Sequence, residues 1–224
     1  MHSNEIESYK QTLSLTQRQR AILVGVLLGD GHLETSDKRK TYRLKIEHSI
    51  KQKEYVDWLY NEFKPWVGKI PQSRVRTYRF PQGTTGEHTA YGFTTYAHGA
   101  FRFYGQQFYT KDGKKHIPPL IRKLLTPLSM AVWYLDDGSV KSNRHRTFII
   151  HSHGYTKSDL ERVQIVFEQL GIHISLHRQI RATGVYWRIY ILSESAEKFF
   201  AIMGSIIDGI PSMRYKLGNN LPKE

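Results

Sequence analysis

Cysteine is absent from the 224-residue chain, which excludes disulfides, thiolate catalysis and cysteine-based zinc or iron–sulfur sites. Long apolar runs are absent too. The longest covers residues 21–28 and contains Gly25, whereas a membrane-spanning helix needs about 20 apolar residues. The polar first 19 residues lack the pattern of a signal peptide. These absences predict a soluble protein in a reducing compartment.

Acidic residues are in short supply. The chain has 20 Asp and Glu against 33 Lys and Arg, a formal charge of +13. Such a surplus makes polyanions, and nucleic acid first among them, the leading class of partner. A membrane surface is the rival, but it would require a basic amphipathic helix. Here positive charge is spread over several segments with strand patterns, which favours a broad basic surface; ordinary solubility charge is the simplest alternative.

The predicted elements occur in two similar sets. A capping box at Thr16 precedes an apolar helix over residues 17–29, and Thr126 with Pro127 precedes a second over residues 129–136. The other predicted elements are strands over residues 41–48, 74–80, 90–96, 144–151, 172–180 and 185–192, and helices over residues 51–67, 97–109, 156–170 and 193–206. The loop over residues 81–88 joins the first hairpin. This repetition predicts two pseudo-symmetric α+β halves.

Both apolar helices end in an acid followed by glycine, at Asp30 and at the Asp136–Asp137 pair. A carboxylate is unfavourable at a helix C-terminus, where the dipole is already negative, so we expect a cation there. Carboxylates together with exposed carbonyls, such as that of Gly29, suit Mg²⁺ better than zinc. Parallel packing of the two helices would bring Asp30 and Asp137 together. The alternative is that each Asp-Gly pair is only a turn signal.

Residues 23–31 (LVGVLLGDG) and 130–138 (MAVWYLDDG) resemble the motifs of the LAGLIDADG homing endonucleases, in the single-chain branch that carries two motifs. One Ile-Pro…Lys-Leu segment follows each motif, at residues 117–124 and 210–217. The resemblance implies an αββαββα unit in each half, an antiparallel-sheet saddle over DNA, and motif helices packed at the centre. We expect an N-terminal repeat over residues 1–116, a connector over 117–125 and a C-terminal repeat over 126–224.

The resemblance also implies the active-site residues. Asp30 and Asp137 match the family's metal-binding acids, with Gly29 and Asp136 as further candidate ligands. The family's active-site lysines match Lys115 and Lys216, and Lys114 is an alternative to Lys115. Glu47 and His153 match supporting catalytic positions, with His151 as the alternative to His153. The second motif departs from the pattern at Val132 and Leu135, which puts close helix packing in question.

Base-reading side chains are expected on the strands, because a two-stranded ribbon fits the major groove. The candidates alternate with apolar residues and are Arg43, Lys45, Arg74, Arg76, Arg79, His173, Ser175, His177, Gln179, Arg181, Tyr186, Arg188 and Tyr190. They could instead be the solvent face of a half-buried sheet. His151 and His153 also suggest zinc, but no third ligand stands at a recognisable spacing.

Together these features predict a monomeric, Mg²⁺-dependent, sequence-specific endonuclease that cuts both strands of double-stranded DNA across the minor groove. We expect Mn²⁺ to substitute and Ca²⁺ to bind without supporting cleavage. The alternatives are a maturase that binds its own intron RNA, a non-cleaving DNA-binding regulator, and an unrelated basic RNA-binding protein. The scarcity of asparagine favours a prokaryotic cytoplasm over an organelle that encodes the chain.

Overall fold

The computed structural model describes residues 4–79, 82–142 and 145–220. The elements of the first half are α1 (Asn4–Thr12), α2 (Gln17–Leu28), β1 (His32–Glu34), β2 (Arg43–Ser49), α3 (Lys53–Phe63), β3 (Gln72–Arg79), β4 (Thr85–Thr94) and α4 (Arg102–Phe108). Helix α5 (Ile121–Leu124) follows. The elements of the second half are α6 (Pro127–Asp137), β5 (Gly138–Ser142), β6 (His145–Ile150), α7 (Lys157–Gln169), β7 (Ile174–Arg181), β8 (Gly184–Ile191) and α8 (Ala196–Ile207). A 3₁₀ segment, Pro211–Asn220, follows α8.

Each half contains a four-stranded antiparallel sheet. The strand orders are β1-β2-β4-β3 and β5-β6-β8-β7. The two orders are the same when the strands of each half are counted from its own start. The predicted α+β class and the predicted duplication are therefore confirmed.

The two motif helices begin as predicted. The side chain of Thr16 accepts a hydrogen bond from the backbone N–H of Gln19, and the Gln19 side chain accepts one from the backbone N–H of Thr16. Thr126 and Ser129 form the same reciprocal cap on α6, with Pro127 at the first helical position. Such caps satisfy backbone donors that a helix start leaves unpaired. Each helix start is thus fixed by its local sequence.

Helices α2 and α6 pack side by side and run in the same direction. A Cβ atom on Gly25 would lie 2.6 Å from the Cβ of Val132, and one on Gly29 would lie 2.2 Å from a carboxylate oxygen of Asp136. The two helices are thus in contact over a full turn at their C-terminal ends. Val132, which put close packing in question, is accommodated because the facing residue is a glycine.

Several elements differ from the sequence prediction. Strand β4 begins at Thr85, so residues 85–88 of the loop expected over residues 81–88 belong to a strand. Strands β1 and β5 and helix α1 had no counterpart in the residue pattern. β1 has three residues, too few for an alternating pattern, and pairing with β2 defines it. Phe80 and Arg144, at the ends of two predicted strands, lie outside the described residues.

Each sheet packs one face on the helices. In β2 the side chains of Leu44, Ile46 and His48 are buried, whereas those of the alternating residues are accessible. This is the predicted alternation, and it leaves the other face of each sheet open. Among the described helices, none combines the length and the hydropathy needed to cross a bilayer.

Candidate active site

Two acids lie where α2 and α6 end side by side. Asp30 follows α2, and its side chain is 53 % exposed. Its backbone N–H donates a hydrogen bond of 2.9 Å to Oδ2 of Asp136. Asp137 is the last residue of α6 and is half-buried; its Oδ2 accepts a hydrogen bond of 3.1 Å from Nε1 of Trp133, one turn earlier. The helix pair therefore brings the two predicted acids to one end of the core.

The third carboxylate, Asp136, is buried at the same place. Its Oδ1 accepts a hydrogen bond of 2.8 Å from the hydroxyl of Tyr55. Burial, followed by the charge of Asp30, raises the pKa of Asp136 to about 8. Burial and the charge of Asp136 also raise the pKa of Asp137 to about 7. Three carboxylates compete here for compensating positive charge, which is the electrostatic setting that a divalent cation relieves.

The two predicted lysines hold matching positions. Nζ of Lys115 donates to the carbonyls of Gly29 and Gly31 at 2.6 and 2.8 Å. Nζ of Lys216 donates to the carbonyls of Asp136 and Gly138 at 3.1 and 2.8 Å, which are the same two motif positions in the second half. Burial lowers the pKa of both lysines, while the nearby aspartates oppose that shift.

These hydrogen bonds distinguish Lys115 from Lys114, and they leave the carbonyl of Gly29 with less capacity to bind a metal ion. Lys114 is exposed and pairs with Asp112 at 3.2 Å, so Lys115 is the lysine that reaches the motif. The carbonyl of Gly29, a candidate metal ligand, already accepts a hydrogen bond from Lys115. Only its second lone pair is available for a cation.

His48 also lies at this centre, and the sequence analysis did not identify it. Its Nδ1 is 3.7 Å from Asp30 and its Nε2 is 3.8 Å from Asp136. One potential ligand atom from each of these three residues lies within 4.8 Å of the others, so the donor set fits a divalent cation. The available clue was a polar residue on the apolar face of the strand over residues 41–48.

Glu47 lies on the opposite face of β2 from His48 and binds Arg76 at 2.7 to 2.8 Å. Its counterpart follows from the strand register. His32 pairs with Lys45, and the equivalent Ser139 pairs with Ile149. Glu47 lies two residues after Lys45, and His151 lies two residues after Ile149. The register therefore matches Glu47 with His151, whereas the sequence analysis favoured His153.

The two histidines have different partners. Nε2 of His151 lies 2.9 Å from the hydroxyl of Ser139. Burial and the charge of Arg188 lower the pKa of His151 to about 4. His153 accepts a hydrogen bond of 3.0 Å from Nε of Arg188. His151 is consequently neutral at neutral pH, so it can exchange hydrogen bonds with water without adding charge.

Most of the predicted DNA-reading side chains share the open face of the two sheets. Register places Arg74 opposite Ala90 and Arg76 opposite His88 on that face. Arg79 was grouped with them, but it is an odd number of residues away from both and projects from the other face. Arg43 and Lys45 share the open face and contact Glu34 at 2.8 and 3.4 Å.

The second sheet has an open face of the same kind. Three of its cross-strand pairs are Ser175–Tyr190, His177–Arg188 and Gln179–Tyr186, and Arg181 pairs with Gly184 at the turn. His173 has the same parity and precedes β7. The rings of His177 and Tyr190 lie 4.1 Å apart. This hairpin therefore presents a row of polar and aromatic side chains with few apolar interruptions.

Comparisons with known proteins agree with this geometry. A sequence model of the LAGLIDADG DNA endonuclease family matches residues 20–199. DNA endonuclease I-ChuI of Chlamydomonas applanata is 28 % identical over 217 residues, which cover 92 % of this chain and 97 % of that protein. Probable intron-encoded endonuclease 1 of Wickerhamomyces canadensis is 28 % identical over 221 residues, covering 96 % and 91 %. The structure of the homing endonuclease I-WcaI bound to its DNA recognition sequence superposes with a TM-score of 0.82 at 24 % identity, covering 96 % of this chain and 93 % of that one.

Proposed function

The chain belongs to the LAGLIDADG DNA endonuclease family, and we propose that it is a monomeric, sequence-specific homing endonuclease that cuts both strands of a long DNA target across the minor groove. The observation that carries this proposal is the parallel packing of α2 and α6, which puts Asp30 and Asp137 at one end of the core. One chain supplies both half-sites, so no second copy is needed. The halves would be residues 1–116 and 126–224, joined by 117–125.

We assign the metal-binding role to Asp30 and Asp137, whose carboxylate oxygens suit Mg²⁺. Held by these two carboxylates, a divalent cation would supply polarisation of the phosphoryl oxygens, a lower pKa for the attacking water and stabilisation of the leaving 3′ oxygen. Mn²⁺ should substitute, and Ca²⁺ should bind without supporting cleavage. Asp136 is buried and already holds two hydrogen bonds, so we give it a supporting role.

The two lysines supply fixed positive charge beside the acids. Backbone carbonyls hold the ammonium groups of Lys115 and Lys216 at matching places. Charge that is already oriented costs no reorganisation when negative charge develops on a phosphate. We propose that each lysine offsets that charge in its own half-site, and that Glu47 and His151 order nearby water.

The open faces of the sheets would read the DNA. Arginine and glutamine side chains form bidentate hydrogen bonds with base edges in the major groove. Arg188 and Gln179 share the open face of the second hairpin, and Arg74 shares that of the first. The charge of +13 adds sequence-independent attraction to phosphates.

A maturase or a DNA-binding regulator on the same fold would need the basic sheets but not the paired acids. The presence of Asp30 and Asp137 therefore favours cleavage over binding alone. Maturase activity on the chain's own intron RNA could accompany it, through the same basic character. We propose a reducing location, in a prokaryotic cytoplasm or in an organelle that encodes the chain.

The test is cleavage of a plasmid library with a randomised insert, with and without Mg²⁺. The wild-type protein should linearise a subset of plasmids only when Mg²⁺ is present, and sequencing of the ends should give the target. Asp30→Asn and Asp137→Asn should abolish double-strand cleavage while retaining binding to that target. Asp208→Asn is the control, because Asp208 is an exposed acid whose side chain is 72 % accessible. Full activity of purified Asp30→Asn protein would refute the assignment.

A further inference from the structure

The two half-sites differ at the motif positions next to the acids. Position 29 of the first motif is glycine, and the equivalent position 136 of the second is aspartate. The carboxylate of Asp136 projects towards Gly29, so closely that no side chain would fit on that glycine. A side chain of the second half therefore supports the end of the first motif. Gly29, at the equivalent position, has no side chain with which to support the end of the second motif.

The support of Asp30 is a buried chain of groups. Asp136 accepts hydrogen bonds from the backbone N–H of Asp30 at 2.9 Å and from the hydroxyl of Tyr55 at 2.8 Å. The imidazole of His48 lies between the two carboxylates, 3.7 Å from Asp30 and 3.8 Å from Asp136. Tyr55 is fully buried, and His48 is 7 % exposed. Because Asp136 holds the backbone N–H of Asp30, it fixes the point from which the Asp30 side chain extends.

The support of Asp137 is different. Oδ2 of Asp137 accepts a hydrogen bond from Nε1 of the fully buried Trp133. The equivalent position of the first motif is Val26, which has no donor. The register places Ser152 where the first half has His48, and its hydroxyl donates to the carbonyl of Trp187. Tyr155 of the second half reaches the end of α2 as Tyr55 reaches the end of α6, but its hydroxyl donates to the carbonyl of Leu28 and not to a carboxylate.

We propose that Asp136, oriented by Tyr55, is a positioning residue for Asp30, and that Trp133 is a positioning residue for Asp137. This inference rests on the proposed function. It goes beyond that function because cleavage of each DNA strand depends on a different supporting residue. Loss of one support slows cleavage of one strand, and loss of the other support slows cleavage of the opposite strand. The two kinds of variant therefore accumulate different nicked intermediates, each cut in the strand that the other leaves intact.

The first experiment measures strand-specific nicking. The duplex recovered from the plasmid library is labelled on each strand in turn, and single-turnover nicking rates are followed with Mg²⁺. Asp136→Ala should slow one strand about tenfold, the amount expected for loss of one hydrogen bond. Tyr55→Phe should slow the same strand by less, and Trp133→Phe should slow the other strand.

The outcomes separate this inference from the proposed function. Equal slowing of both strands by each variant would overturn the inference while leaving the nuclease function in place, as would slowing of the same strand by Asp136→Ala and Trp133→Phe. A wild-type protein that cuts neither strand would overturn the proposed function instead. Asp208→Asn, a substitution on the surface, should keep the wild-type strand ratio.

The second experiment needs no cleavage. Amide hydrogen exchange at Asp30 should be faster in Asp136→Ala than in the wild type, because its N–H loses the carboxylate acceptor. Asp136→Asn should restore protection, because its amide oxygen can accept the same hydrogen bond. Unchanged exchange at Asp30 in Asp136→Ala would overturn the proposal. If Asp136→Ala does not fold, Tyr55→Phe provides the same comparison with a smaller change.

Discussion

Val132 packs directly on Gly25, with its Cβ 2.6 Å from the place where a Cβ on Gly25 would be. This contact lets two backbones approach at the centre of the molecule. The separation of the two acids depends on it, because Asp30 and Asp137 are attached to the ends of the helices that it joins. The contact thus links the fold to the proposed chemistry.

Substituting Gly25 tests that link. Gly25→Ala should lower the free energy of unfolding by about 2 kcal/mol, because overpacking in a closed interface forces the helices apart. Urea unfolding measures the change. Gly154→Ala is the matched control, since a Cβ at Gly154 would meet nothing within 4 Å, and it should change stability by less than about 0.5 kcal/mol. Equal effects of the two substitutions would contradict the packing account.

Two adjacent lysines allow a second comparison. Lys115→Met keeps the length of the side chain but removes the ammonium group that binds the carbonyls of Gly29 and Gly31. We expect cleavage to fall by about 100-fold. Lys114→Met should leave it almost unchanged, because the ammonium group of Lys114 is exposed and pairs with Asp112 at the surface. Single-turnover cleavage rates, with thermal unfolding as a check on folding, measure both; a larger loss in Lys114→Met would reverse our assignment.

The buried carboxylate of Asp136 predicts how stability depends on pH. Its pKa is about 8 in the folded protein against an ordinary value of 3.8. Between these values the folded chain binds more protons than the unfolded chain, so this group makes stability fall as the pH rises. Asp136→Asn has no such titration.

Urea unfolding at about pH 5 and about pH 9 tests this sign. From the lower to the higher pH, the wild type should lose more unfolding free energy than Asp136→Asn. An equal loss in both proteins would show that the Asp136 carboxyl group has an ordinary pKa.

Opposite faces of one strand give a test of DNA binding. Arg74 lies on the open face of β3, and Arg79 projects from the other face. Arg74→Ala should weaken target binding by about 1–3 kcal/mol and reduce discrimination at one base pair, as loss of a bidentate base contact does. Arg79→Ala should change neither quantity as much. Binding isotherms on the target and on its single-base variants would contradict the face assignment if Arg79→Ala has the larger effect.

Features encoded over a few adjacent residues were predictable from the sequence. The reciprocal caps at Thr16 and Thr126 define two helix starts locally. The alternation of Leu44 and Ile46 with charged residues defined the faces of β2. The acids at the motif ends were visible for the same reason, since each stands beside its glycine.

Features that depend on distant partners were not predictable. The role of Asp136 requires Tyr55, which is 81 positions earlier in the chain and is brought to it by the packing of α3. Strand β1 exists because β2 pairs with it. The choice between Lys114 and Lys115 depended on which ammonium group reaches Gly29, and adjacent residues in a sequence pattern do not reveal that.

The most direct test of the central claim is a crystal structure of the protein bound to its cleavage target with Ca²⁺. We predict divalent ions on the carboxylate oxygens of Asp30 and Asp137, each in contact with a phosphate of the DNA lying across the open faces of the two sheets. Ions bound elsewhere with both carboxylates unoccupied, or DNA bound to another face, would contradict the account.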